Sequence, residues 1–126
     1  MILKSLDQPG AALVNAYGGM GFRIAGERYE GSVVVTATEV LAWPVLQPED
    51  ITVEVLDVIF GGEATKPGIL IVGCGSRFLI LPQAVRDWAA RQGIMLDSMD
   101  TGAAARTYNV LRQEDRSVAV ALIAVE

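Results

Sequence analysis

Histidine is absent from this 126-residue chain, and cysteine occurs once, at Cys74. Without His, neither a Ser-His-Asp nor a Cys-His catalytic set can be built in one chain. A structural zinc site draws four ligands from Cys and His, and here one is on offer. A lone cysteine forms no intrachain disulfide, so nothing points to an oxidising compartment. Basic residues are also sparse, at 10 against 15 acids, for a net charge of −5. They form no cluster. A nucleic-acid binder concentrates positive charge on one face, so nucleic acid ranks low as a partner. Long hydrophobic runs are missing too. The longest, Val118 to Val125, falls far short of the roughly 20 residues that span a bilayer. The opening MILKSLDQPG has no apolar stretch of signal-peptide type. The expectation is a soluble, cytoplasmic protein.

What is present is core material. Hydrophobic residues make up 52% of the chain, and mean hydropathy is +0.38. A chain of this size forms one domain, here residues 1–126, and buries roughly two thirds of its unfolded surface. The charge is uneven: all of the net negative charge falls in residues 1–76, and the remainder is balanced.

The chain divides by character into a β-rich first third and an alternating β/α remainder. Ala11 to Ala16 is a short apolar run, broken by Tyr17-Gly18-Gly19-Met20-Gly21. Phe22-Arg23-Ile24, the segment around Tyr29 and the β-branched Ser32–Thr36 read as a meander or hairpin pair. Pro44 ends a further extended stretch from Thr38. Gln47–Asp50 is a turn and helix entry. Residues 51–60 fit both an alternating strand and a helix, with length and flanks favouring helix. Ile69–Val72 is a buried strand, and Phe78–Leu81 reads as a second. Pro82 opens a helix with Val85, Trp88 and Ala89 inside and an Asp87/Arg91 pair outside. Gly93 ends it. Ile94–Leu96 is the next strand. Asp100 or Thr101 caps a helix whose buried stripe is Ala104, Tyr108 and Leu111. Ser117–Val125 closes the chain as a strand. This alternation indicates an α/β fold, a parallel or mixed sheet covered on both faces, with the first third supplying an edge and a small second layer.

Three places resemble sites. Tyr17–Phe22 has the glycines of a dinucleotide loop, but a strand follows where a helix must, so a tight turn or bulge is the better reading. Gly73-Cys74-Gly75-Ser76 ends a central strand, where open α/β sheets bind ligands. No Gly-Lys-Ser/Thr follows, so it is not a P-loop. Cys74 is a nucleophile only if a cation or helix N-terminus lowers its pKa; free Cys is more often a small buried hydrophobe. Asp97 and Asp100 are a possible carboxylate pair, although Asp100 is also an ordinary N-cap. Arg106 and Asn109 share a helix face that would take an anion or a partner's carboxylate. Alternatively, Arg106 pairs with Asp97 or Asp100. Met20, Met95 and Met99, with Trp43 and Trp88, read as core. An enzyme built on carboxylates and Tyr108 ranks last, because Tyr108 lies on the buried stripe.

The run Ser98–Leu111 with its Met99-Asp100-Thr101 and Arg106-Thr107-Tyr108-Asn109 segments is distinctive. So is Ile69–Gly75 followed by Phe78–Pro82, with Gly21-Phe22 and Trp43-Pro44 earlier. In this order they resemble a small α/β family of bacterial and archaeal conserved hypothetical proteins that includes mitochondrial NADH dehydrogenase (complex I) assembly factor three. The resemblance runs from about Ala11 to Val125. It implies a three-layer fold, with a mixed central sheet, helices packed on it and a small extra β-layer, and it implies that residues 52–60 are a helix. It implies no cofactor and no established catalysis, and a role in binding other proteins, including respiratory complex I subunits or assembly intermediates. Association with the inner membrane would then come through partners, and self-association is open. The family often has Thr where this chain has Cys74 and Cys where it has Ala105, which argues against shared thiol chemistry. Gly73, Cys74, Gly75, Asp100, Thr101, Arg106 and Asn109 are the candidate ligand- or partner-binding residues, with no catalytic or metal-ligating set.

Overall fold

A computed structural model describes residues 2–6, 12–62 and 66–126. The elements run β1 (Ile2–Ser5), β2 (Val14–Gly18), β3 (Gly21–Ile24), β4 (Glu27–Glu30), β5 (Val33–Val35), β6 (Glu39–Ala42), a 3-10 turn (Pro48–Asp50) and α1 (Val53–Phe60). They continue with β7 (Ile69–Gly73), α2 (Gln83–Gln92), β8 (Met95–Met99), α3 (Thr101–Gln113) and β9 (Val118–Leu122). Six strands form a mixed sheet in the order β1-β6-β5-β9-β7-β8, and β2-β3-β4 form a separate small sheet. Strands β9, β7 and β8 are parallel, while β1, β6 and β5 extend the sheet as an antiparallel edge. The mixed central sheet, its helices and the small extra β-layer from the N-terminal third all match the sequence reading. Ala11, the first residue of the apolar run before β2, lies outside the described residues.

Chain direction decides which helix covers which face. From β7 the chain crosses through α2 to β8 on one side. It then crosses through α3 to β9 on the other side of β7. Parallel crossovers share one hand, so reversing direction puts α3 on the opposite face from α2. The strand pattern agrees. In β9 every residue is buried. Ala119, Ala121 and Ile123 join the cluster with Leu56, Phe60 and Trp88 under α1 and α2. Val118, Val120 and Leu122 join Phe22, Ile24 and Tyr108 under α3 and the small sheet. Full burial of each large aliphatic or aromatic side chain is worth about 1.5–3 kcal/mol. Within the first of these layers Trp88 ties the two helices together: its Nε1 donates to Asp57 Oδ1 at 2.8 Å, joining α2 to α1.

Residues 51–60 are helical from Val53, with the Thr52 hydroxyl accepting from the Val55 N–H. Asp100 caps α3, and Gly93 ends α2 at φ +73°. Tyr17–Phe22 is a tight turn: Gly19 and Met20 both have positive φ between β2 and β3, as a two-residue hairpin loop requires.

Several expectations fail for identifiable reasons. Phe78–Leu81 keeps a strand's alternation, with Leu81 buried and Phe78 and Ile80 exposed, but among the described residues no strand pairs with it. Its carbonyls take side-chain donors instead: Ser98 Oγ on Leu79 and Arg86 Nε on Leu81. Met20 sits at a turn and Met95 on the outermost strand, both exposed, so neither is core; Trp43 and Trp88 are. Asp87 accepts from Gln83 rather than pairing with Arg91. Residues 97–99 extend β8, and the closing strand stops at Leu122. Strand β1 is exposed throughout, so no alternation of buried and exposed positions announces it.

Two side chains of helix α3 bond the backbone of the N-terminal region. The buried Tyr108 hydroxyl donates to Ala12 O at 2.7 Å. Asn109 holds both polar groups of Val14, accepting from its N–H at 2.9 Å and donating to its carbonyl at 2.8 Å. Burial pushes the Tyr108 phenol up to about 12, against a smaller opposing pull from Arg112. A phenol raised in the folded state stabilises the fold fully below its ordinary value near 10 and loses that contribution as pH rises towards 12. The contribution amounts to about 3 kcal/mol. Tyr108→Phe should therefore be less stable than the parent at pH 8, having lost a buried hydrogen bond. Between pH 10 and 12 its urea midpoint should fall more gently. Parallel curves for the two proteins would contradict this burial of the hydroxyl.

Candidate functional site

The reversal at β7 leaves a crevice beyond the carboxyl ends of β7 and β9, the position at which open α/β sheets bind ligands. A cavity of about 690 Å³ lies there. Its wall comes from the loop after β7, the first turns of α3, the β2–β3 hairpin, the 3-10 turn and the chain after β9.

Four of the seven residues singled out by sequence, Cys74, Gly75, Asp100 and Arg106, contribute to this wall; Gly73, Thr101 and Asn109 do not. Thr101 is fully buried behind it. Its Oγ1 accepts the Gly75 N–H at 3.0 Å and donates to Ile123 O at 2.7 Å. Its own N–H donates to Gly75 O at 2.8 Å, and the Ile123 N–H donates to Gly73 O at 3.0 Å. Thr101 thus joins the ends of β7 and β9 to the start of α3. Gly73 makes that approach possible. A Cβ there would stand 2.9 Å from Leu122 Cδ2 and 3.0 Å from the Thr101 Cα. Gly75, at φ +97°, has a backbone that L side chains rarely adopt. Asn109 is committed to Val14, as described above.

Cys74 is buried, with Sγ 3.9 Å from Leu79 O and 4.0 Å from Val72 O. Burial pushes its thiol up, outweighing the hydrogen bond to Leu79. Such a thiol stays protonated near neutrality and is a poor nucleophile. Asp97 and Asp100 do not act as a pair. Asp97 is exposed and accepts from the Ser98 N–H, whereas Asp100 accepts from the Ala103 N–H. Arg106 pairs with neither; its Nη1 donates to the Tyr17 hydroxyl at 2.9 Å. Tyr17 in turn rests on Gly102, where a Cβ would meet its hydroxyl at 2.5 Å.

The sequence reading missed Tyr17, Met20, Leu46 and Arg77, all in the wall. Tyr17 and Met20 belong to the glycine-rich run that reads only as a turn. Arg77 directly follows the turn after β7, and that adjacency was the available signal. The wall carries the guanidinium groups of Arg77 and Arg106 against the carboxylates of Glu49, Asp100 and Glu126. With one more acid than base, the wall does not favour an anion. Among the described residues no group of three His, Cys, Asp or Glu side chains is placed to hold a metal ion.

Thr101→Val keeps the shape of the side chain and removes its oxygen. It leaves the Gly75 N–H and the Ile123 carbonyl without partners in a buried place, at a cost of about 3 kcal/mol. Thr101→Ser should retain most of the stability. Chemical denaturation of both variants checks the difference, and equal midpoints would remove Thr101 from this role.

Comparison with known proteins now places the chain. A family model described as "Protein of unknown function (DUF498/DUF598)" matches residues 14–123. NADH dehydrogenase [ubiquinone] 1 alpha subcomplex assembly factor 3 of Mus musculus is 32% identical over 121 residues, 96% of this chain and 65% of that protein. The Xenopus tropicalis factor of the same name is 32% identical over 87% of this chain and 60% of its own length. The chain thus spans less than two thirds of these assembly factors. An uncharacterised Rhodobacter capsulatus protein is 32% identical over 90% of this chain and 86% of its own. Among solved structures, an outer membrane protein from Bartonella henselae superposes with TM-score 0.83 at 35% identity, covering 94% of this chain and 99% of that one. A Rhodopseudomonas palustris protein gives TM-score 0.80 at 37% identity, covering 99% and 90%. No helix among the described residues is long and apolar enough to cross a membrane. Matched by the family model over 110 contiguous residues, the chain belongs to the DUF498/DUF598 family of proteins of unknown function.

Proposed function

We propose that the chain is a non-enzymatic protein-binding domain that assists assembly of respiratory NADH dehydrogenase. It would work in the cytoplasm and reach the inner membrane through its partners. The observation that carries this reading is the likeness, over nearly the whole chain, to proteins named as assembly factors of that complex. The chemistry of the cavity is in keeping with it: the one thiol is buried and its pKa raised, the Asp100 carboxylate is engaged with a backbone N–H, and the sequence has no histidine to serve as a base.

The surface that best fits a partner surrounds the carboxyl-end cavity. Leu46 is 79% exposed, and Tyr17 and Met20 are also open to solvent on the same wall. The adjoining loop turns Phe78 and Ile80 outward, Ile80 at 72% exposure. Apolar side chains gathered around one depression favour a protein contact. Their cost to the free domain is small, because they lie outside both hydrophobic clusters.

Affinity-tagged protein expressed in its own organism should recover NADH dehydrogenase subunits from gently solubilised membranes. Leu46→Glu combined with Ile80→Glu should abolish that recovery and leave the melting temperature within about 2 °C of the parent, because both positions are exposed. A deletion strain should have a reduced level of assembled complex on native gels. Normal complex level and activity in that strain would overturn the assembly role. Undiminished recovery with the double variant would overturn the assigned face.

A further inference from the structure

Arg112, near the end of α3, is 92% buried, at 8% relative exposure. Its Nη2 donates to the Arg116 carbonyl, and its Nε has no hydrogen-bond partner. No carboxylate pairs with it among the described residues, where the ion pairs are Lys4–Glu27 and Arg28–Glu30, both on the surface. Arg remains charged at any ordinary pH, and a buried cation without a counter-charge is costly. What the chain itself offers the guanidinium is the Arg116 carbonyl and the negative end of α3, in whose last turn it lies; neither is a full counter-charge.

Arg112 also lines a second cavity, of about 510 Å³, at the opposite end of the sheet from the first. This volume lies in the range of small-molecule sites. The cavity opens between the starts of β7 and β9, the β5–β6 turn and the end of α1. Much of its wall is aliphatic, including Leu41, Pro44, Ile59 and Val118, with Val58 82% exposed. Its other hydroxyls are largely occupied: Thr36 Oγ1 accepts from the Glu39 N–H, and Ser117 Oγ accepts from the Gly68 N–H. Among the described residues, the charged groups on the wall are Arg112, Lys66 and Glu39.

We propose that this cavity binds an amphipathic monocarboxylate, with the carboxylate on the Arg112 guanidinium and an unbranched hydrocarbon chain along the aliphatic wall towards Val58. Arg offers parallel N–H donors that match a carboxylate in a way no neutral head group reproduces. The aliphatic wall adds affinity with each methylene buried, about 0.8 kcal/mol apiece. Both halves of the ligand are needed. A bare anion leaves the wall wet, and an alcohol leaves the guanidinium uncompensated.

The test is titration of the full chain with octanoate, acetate and octanol, followed by calorimetry and by amide chemical shifts. Octanoate should bind at least tenfold more tightly than either of the others. Its shifts should centre on Thr38, Val118 and Ala119 and leave Gly75 and Arg106 unmoved. Val58→Glu places a carboxylate at an exposed position of the wall, away from both clusters, and should weaken octanoate at least tenfold without changing the melting temperature. Arg112→Lys keeps the charge, loses the paired donors and should weaken octanoate without improving octanol. If Arg112→Lys does not fold, Val58→Glu and the octanoate–octanol comparison still decide. Absence of octanoate binding, equal affinity for octanol, or shifts centred on Gly75 would overturn the proposal.

Discussion

The hydroxyl of Thr101 is the small interaction on which the carboxyl end of the sheet depends. One buried oxygen accepts from the loop after β7 and donates to the chain leaving β9, while its own helix begins at the same residue. Around it the backbone closes further, with Cys74 N–H to Met99 O, Thr101 N–H to Gly75 O and Ile123 N–H to Gly73 O, all between 2.8 and 3.0 Å. Each such bond contributes only about 1 kcal/mol to stability, yet leaving its groups unpaired in a buried place costs more. Removing one partner therefore disturbs three elements together. The glycines beside it follow from this closeness: Gly73 because α3 begins where its Cβ would be, and Gly75 because the loop turns through a left-handed conformation to reach Thr101.

That constraint explains which parts of the site were legible in the sequence. The Gly73–Ser76 turn, the Asp100 cap and Thr101 all stand out as residues, and they do meet. Spacing alone cannot say that the meeting is mostly architecture, because the Ile123 carbonyl and Leu122 methyl that complete it lie about twenty residues away. Asn109 illustrates the same limit. On the helical wheel it shares a polar face with Arg106, but its partner is the backbone of Val14, 95 residues earlier. Tyr17 and Met20 were hidden for the converse reason. Turn chemistry explains the glycine-rich run fully, and only the folded chain shows that the turn reaches the mouth of a cavity.

Local pattern served the fold better than the site. The unbroken apolar runs of β7 and β9, helical periodicity in α2 and α3, and the glycine after α2 are all local signals, and each element formed where its pattern fell. Phe78–Leu81 shows where pattern misleads. Alternation requires only two environments, and an extended loop with one side packed against the domain supplies them without a neighbouring strand. Residues 51–60 show the reverse, a segment whose pattern fits both periods and becomes a helix through its Thr52 cap and its packing of Leu56 and Phe60. The two ends of the same sheet then differ in kind. The carboxyl end is wide, carries charges of both signs and is rimmed with exposed apolar side chains. The amino end is narrower and largely aliphatic, with one buried cation.

The rigidity attributed to Thr101 is read most directly from amide hydrogen exchange at Gly75. This N–H sits in a loop, where amides ordinarily exchange through local openings. Held by the Thr101 oxygen, it should exchange only with global unfolding, at a rate close to that of Ile71 in the middle of β7. Exchange of Gly75 at the rate of the exposed Gly26 turn, with Ile71 still protected, would show that the carboxyl end of the sheet opens independently and would contradict the account.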